Sequence, residues 1–313
     1  MGVAEARCAA TSPAGVPALH STNRFCHAEE AFLWACALDV QVRKPGNVSL
    51  ASPGHDMVAA QFLDSAEAAA QPLLQHDRPV GERVERAVIA TREAAGCNTN
   101  LGILLLCAPV ALAAERAARA DADALVSALR GVLEALDVDD ARAAYRAIAL
   151  AGPGGLGSAS EQDVADEPTI DLRAAMTLAA DRDSIARQYA TGFDDVLALG
   201  VRPFLCGLGQ RTSPLDARVQ ALFLRFLAGL PDSHIVRKHG IERARAVSAE
   251  AAQWLARLGD DPAEGRSRAF MDWDESLKQR GLNPGTSADL TVCTLFVAAL
   301  LEPAIIACEV RSS

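Results

Sequence analysis

Aromatic residues make up only 4% of the chain, and β-branched residues are thin beside them. Strands draw on both classes, whose side chains fit a pleated, half-buried surface. Their scarcity argues against a sheet-built domain, and no alternating apolar and polar run speaks for one. Lysine is scarcer still, with Lys44, Lys238 and Lys278 alone among 30 basic residues. There is no lysine–arginine block and the formal net charge is −10, so nucleic acid is not expected as a partner. The longest apolar run, Leu101 to Ala114, is too short to span a bilayer and carries Pro109, so no membrane partner is expected either. Eight cysteines show no close pairing and no histidines at zinc-site intervals, which points to free thiols in a reduced, cytoplasmic compartment. The first twenty residues lack an apolar h-region, and Ala6 stands where a myristoylation motif wants Ser or Thr. Internal repeats and glycine-rich nucleotide loops of the Rossmann or Walker kind are also missing.

What is present favours helix. Half of the 313 residues are apolar, with Ala dominant and Leu, Arg and Glu behind it. This composition predicts an all-α fold, a single multi-helix, bundle-like domain over residues 27–310, behind a frayed tail at 1–26. The first helix is expected over 29–42 and a second from Ser52 as N-cap with Pro53 at its first position. A third, over 81–95, closes at Gly96. The very apolar segment 103–118 reads as a buried helix, and further helices are expected over 121–136, 139–150, 171–180, 213–230, 242–258 and 262–280. Residues 152–168 are rich in glycine and acidic side chains. They read as a mobile lid, with an acidic linker as the alternative.

Five polar turns lead into apolar helices. They are Lys44-Pro45-Gly46-Asn47, Ser52-Pro53-Gly54-His55-Asp56, Gly96-Cys97-Asn98-Thr99-Asn100, Pro231-Asp232-Ser233-His234 and Leu282-Asn283-Pro284-Gly285-Thr286-Ser287-Ala288-Asp289. If the helices bundle, these turns meet at one end, and that end is the expected active site. Each residue also has a plain reading. Asp289 suits a capping box with Thr286 as N-cap, and Asp56 suits the first turn of a helix. Asn98 or Thr99 could cap the buried helix or present its N-terminus to a phosphate. Asp181 and Asp183 with Arg187 could be a magnesium or phosphate element, or a charged helix start. Arg237, Lys238 and two histidines crowd the turn after Asp232, or decorate a solvated loop. A lysine in an arginine-biased chain, such as Lys44, hints that its compact ammonium is wanted.

Lys44-Pro45-Gly46-Asn47-Val48, Gly54-His55-Asp56-Met57, Phe62-x-x-Ser65-Ala66, Cys97-Asn98-Thr99 and Leu282 to Leu290 together, in this order, resemble the triphosphoribosyl-dephospho-CoA synthase family from about Glu29 to Leu301. The resemblance implies an all-helical transferase that takes ATP and 3′-dephospho-CoA, releases adenine and joins the triphosphoribosyl group to a ribose hydroxyl. Two departures stand out. Asn98-Thr99-Asn100-Leu101-Gly102 occupies the place of an Asn-Thr-His-Lys-Gly pattern. Asp232-Ser233-His234 and Lys238-His239-Gly240 replace Asp-Thr-Asn and Arg-Gly-Gly. On this resemblance Asp289 or Asp56 is the expected base, with the other holding Mg²⁺, and His55 assists the departing purine. Lys44, Arg237, Lys238, Asn98, Thr99, Asn100 and Asp232 are the expected nucleotide-binding residues. The missing basic pair leaves open a related ribosyl transfer to another cofactor precursor, or a non-catalytic nucleotide-binding homologue.

Overall fold

A computed structural model describes residues 27–155, 157–206 and 213–307. The expected tail at 1–26 lies outside the described residues. Fourteen α-helices run through the described chain: α1 (Ala28–Gln41), α2 (Ala59–Leu74), α3 (Val80–Ala95), α4 (Leu101–Arg116), α5 (Ala122–Glu134), α6 (Val138–Ala151) and α7 (Leu172–Ala179), then α8 (Ser184–Thr191), α9 (Arg202–Cys206), α10 (Leu215–Gly229), α11 (Ser233–His239), α12 (Ile241–Asp260), α13 (Arg268–Gln279) and α14 (Gly285–Leu301). No strand occurs among the described residues, only two isolated bridges, Ser49 with Ser52 and Gly54 with Met57. The fold is all-α, as its composition implies.

Helices α4 and α14 are buried along nearly their whole length, which is what an apolar face on every side requires. The other helices wrap this central pair. A second cluster, built on Phe223, Trp254, Phe270 and Leu277, joins α10, α12 and α13. Where α3 crosses α6, the Gly81 amide donates to Asp140 Oδ1 at 2.7 Å. A Cβ at Gly81 would lie 2.4 Å from the Asp140 carbonyl oxygen, so only glycine allows this approach.

Much of the acidic excess is capping chemistry. Asp121, Asp137, Asp171, Asp183 and Asp232 are each an N-cap whose carboxylate accepts amides of the first turn. Asp183 is therefore a helix start.

Several boundaries differ from expectation. The second helix begins at Ala59 rather than after Ser52, because residues 49–57 fold into tight turns instead. His55 and Asp56 take φ of 55° and 60°, a left-handed pair that Gly54 and Met57 bracket with reciprocal amide–carbonyl bonds. Asp56 thus gains nothing from a helix dipole. The last helix begins at Gly285, so Thr286 lies inside it and does not cap it. Residues 262–280 split into a 3₁₀ turn and α13, with Ser267 capping the latter. Pro231 to His234 is no open loop, since Asp232 starts the short helix α11.

Candidate active site

The first and last polar turns are interlocked. Asn47 Nδ2 donates to Asn283 Oδ1 at 3.2 Å, and Gly46, with φ of 82°, packs where a Cβ would meet Leu282 O and Pro284 Cδ at 2.8 Å each. His55 Nε2 donates to Gly46 O at 2.8 Å and ties the second turn to the first. Asp232 ties the fourth turn to the fifth: its Oδ2 accepts from Ser287 N at 2.7 Å and Ser287 Oγ at 2.8 Å, while Oδ1 caps α11. The third turn folds onto α2 and α3. Thr99 Oγ1 donates to Ser65 Oγ at 2.6 Å, Asn100 Oδ1 accepts from Thr91 Oγ1 at 3.1 Å, and Asn98 Oδ1 accepts from Leu101 N at 3.1 Å.

These turns border a cavity of about 740 Å³. Asn47, His55, Asn98, Thr99, Asn100, Arg237, Lys238, Asn283 and Asp289 all line it. So does much of 152–168, which rests on α11: a Cβ at Gly154 would touch Lys238 Cε at 3.2 Å, and one at Gly155 would touch Arg237 O at 3.2 Å. That volume suits a nucleotide-sized ligand.

Three expected site residues sit elsewhere. Asp56 is exposed and outside the cavity lining, whereas Asp289 stands on the wall. Asp232 is buried behind the wall, where its four donors make it a structural tie. Lys44 is fully buried, with Nζ 2.9 Å from Asp39 Oδ1 and bonded also to the Asp39 carbonyl oxygen. It meets a carboxylate rather than a phosphate. Lys278 is likewise pinned, to Asp274 Oδ2 and Ser52 O at 3.1 Å each.

The structure adds residues that the sequence reading missed. Asp39, Arg92 and Arg182 line the cavity, beside His234 of the fourth turn. Asp39 was legible in principle, as the one carboxylate in the otherwise apolar run Phe32 to Val40. Arg237 is ion-paired to Asp183 at 2.6 Å. Asp289 has no hydrogen bond or ion pair among the described residues. Burial, then the nearby Asp39 and Asp232 charges, push its carboxyl well above the usual carboxylate range, against the weaker pull of Arg237. Gly102 makes room for it, since a Cβ there would sit 2.1 Å from Asp289 Oδ2. Burial and the cations Lys238 and Arg237 hold the His234 imidazole down to about 3. Among the described residues, His76, Asp77 and Glu115 form a group with metal-like spacing, and none of them borders the cavity.

The family model of CitG, ATP:dephospho-CoA triphosphoribosyl transferase, matches residues 26–306. The chain belongs to this family. The CitG family is one of pentosyl-transferring enzymes, and its model spans every turn described above. A "probable 2-(5''-triphosphoribosyl)-3'-dephosphocoenzyme-A synthase" of Albidiferax ferrireducens is 35% identical over 115 residues, a match spanning 36% of this chain and 36% of the relative. A protein of the same name from Vibrio cholerae serotype O1 (strain M66-2) is 25% identical over 261 residues, covering 79% of this chain and 72% of the relative. The crystal structure of an Archaeoglobus fulgidus protein assigned as a triphosphoribosyl-dephospho-CoA synthase superposes with a TM-score of 0.59 at 25% identity, covering 77% of this chain and 99% of that one. The CitG-family departure at Asn100 and Leu101 falls on two buried residues at the start of α4.

Proposed function

We propose that this chain carries out the family reaction, moving the triphosphoribosyl group of ATP onto a ribose hydroxyl of 3′-dephospho-CoA and releasing adenine. The observation that carries this reading is the cavity itself. Five separated turns converge on one nucleotide-sized chamber in a chain that the CitG model spans from residue 26 to residue 306.

The chemistry replaces a C1′–N bond by a C1′–O bond through a transition state with oxocarbenium character, as in glycoside transfer. It needs proton transfer at both ends and positive charge for the phosphates. Asp289 supplies a carboxyl group on the cavity wall. Arg92, Arg182 and Lys238 line the cavity without a carboxylate partner among the described residues, and Arg237 lines it paired to Asp183. The first turn of α4, with Leu101 and Gly102 on the cavity wall, adds the positive end of a helix dipole. Mg²⁺ enters in this reading with the substrate, chelated by the triphosphate. No helix among the described residues is long and apolar enough to cross a membrane, and the five described cysteines are free thiols. Both fit the cytoplasmic setting that this reading assumes.

The test is adenine release from ATP with and without 3′-dephospho-CoA, with the joined product identified by mass. Release that requires dephospho-CoA supports the reading. Release that ignores it, or no release, overturns it.

A further inference from the structure

Two of the carboxylates that line the cavity stand in opposite surroundings. Asp39, on α1, is 3% exposed and has the Lys44 ammonium 2.9 Å from Oδ1. Lys44 is itself fully enclosed and is fixed by a second bond to the Asp39 carbonyl oxygen. Asp289, on α14, has no such cation: the nearby guanidinium, Arg237, is already taken by Asp183 at 2.6 Å. Its Oδ2 faces the hydrogen of Gly102 instead, at a distance no side chain could share. One carboxyl group is thus ion-paired and the other stands in an uncompensated, enclosed position. Two acids separated by environment in this way divide the proton acceptor and proton donor roles.

We propose that Asp39 is the general base for the attacking ribose hydroxyl and Asp289 the general acid for the departing adenine. This rests on the function proposed above. In the step, the C1′–N9 bond breaks and its electron pair leaves with adenine, which takes the proton from Asp289. The acceptor oxygen forms the new C1′–O bond and gives its proton to Asp39. Asp289 ends ionised and Asp39 protonated, and proton exchange with solvent restores both. Burial and the neighbouring carboxylates favour the protonated form of Asp289 that this role needs. Lys44 is the positioning residue that fixes the Asp39 carboxyl group, through its contact to Oδ1 and its bond to the Asp39 carbonyl oxygen.

The test compares ATP with ATP methylated at N7, whose cationic purine departs as neutral 7-methyladenine and needs no proton. With ATP, Asp289→Asn and Asp39→Asn should each lower kcat by about 10²–10⁴-fold, the usual worth of one acid–base group. With the N7-methyl nucleotide, Asp289→Asn should come within about tenfold of the unaltered chain, whereas Asp39→Asn should stay impaired. Recovery in the same protein sample also shows that Asp289→Asn is folded. Equilibrium dialysis with ATP does the same for Asp39→Asn, which should still bind. An equal deficit of Asp289→Asn on both nucleotides, or full activity of Asp39→Asn on ATP, would overturn the pairing while leaving the family reaction in place. An unaltered chain that released no adenine with dephospho-CoA would overturn the proposed function, and the pairing with it.

Discussion

The Lys44 ammonium and the Asp39 carboxylate form an ion pair at 2.9 Å in which neither side chain reaches solvent to any useful extent. Removing one partner of such a pair strands the other as a buried charge, which typically costs 3–5 kcal/mol, whereas replacing both by apolar groups is often neutral. Lys44→Met should therefore lower stability by about 3–5 kcal/mol in urea denaturation. Lys44→Met combined with Asp39→Leu should regain most of that loss while remaining inactive. A single variant as stable as the unaltered chain would contradict this account.

Asp289→Asn should trade activity for stability. A carboxyl group whose folded pKa is raised holds its proton more tightly in the folded than in the unfolded chain. Above the unfolded value it therefore costs stability, and that cost grows as pH rises toward the folded value. The amide has no such cost. Its melting temperature should exceed that of the unaltered chain at neutral pH, and the difference should shrink as pH falls toward 4, near the unfolded value.

His234 gives the opposite acid signature. Its imidazole is held down to about 3, so between the unfolded value near 6.5 and that figure the unfolded chain binds the extra proton. Stability should fall as pH drops through this window. His234→Gln should flatten that part of a melting-temperature profile. An unchanged slope would show that the imidazole titrates normally.

Gly102→Ala tests how tightly Asp289 is seated. Alanine is the better helix former, by about 1 kcal/mol at an unhindered position. Here its Cβ would lie 2.1 Å from Asp289 Oδ2 and 2.7 Å from Ile185 Cδ1. Overpacking of this kind usually costs about 1–3 kcal/mol, and the carboxyl must move. Turnover should drop far more than the melting temperature does.

The cavity cations should act on binding. Arg92→Gln and Lys238→Gln are expected to raise the KM for ATP or dephospho-CoA several-fold, with weaker salt dependence and little change in kcat. Arg268→Gln serves as the control, because Arg268 pairs with Asp272 away from the cavity.

The helical class and most helix bodies were readable in the chain, since alanine and leucine at helical spacing leave few alternatives. Gly96 ended α3 with φ of 72°, as expected of a residue just past a helix. The convergence of the turns was readable too, and Asn47 on Asn283 shows it directly. Depth was not readable. Lys44 sits in a polar turn next to Pro45 and Gly46, yet its side chain folds back into α1 to meet a carboxylate five residues earlier. Asp232 and Asp56 look alike in sequence as acids beside a turn. One accepts four hydrogen bonds in the interior, and the other points outward from a left-handed pair. Asp39 was passed over because a lone carboxylate in an apolar helix has no motif around it.

At the crossing of α3 and α6, Gly81 lets two backbones touch with nothing between them. Further along, α6 carries Tyr145, Ile148 and Ala151, which line the chamber. A methyl group at position 81, remote from every reacting atom, would wedge these helices apart and widen the room in which a nucleotide must be gripped. The bore of the chamber is calibrated from outside it, by a residue that contributes no side chain.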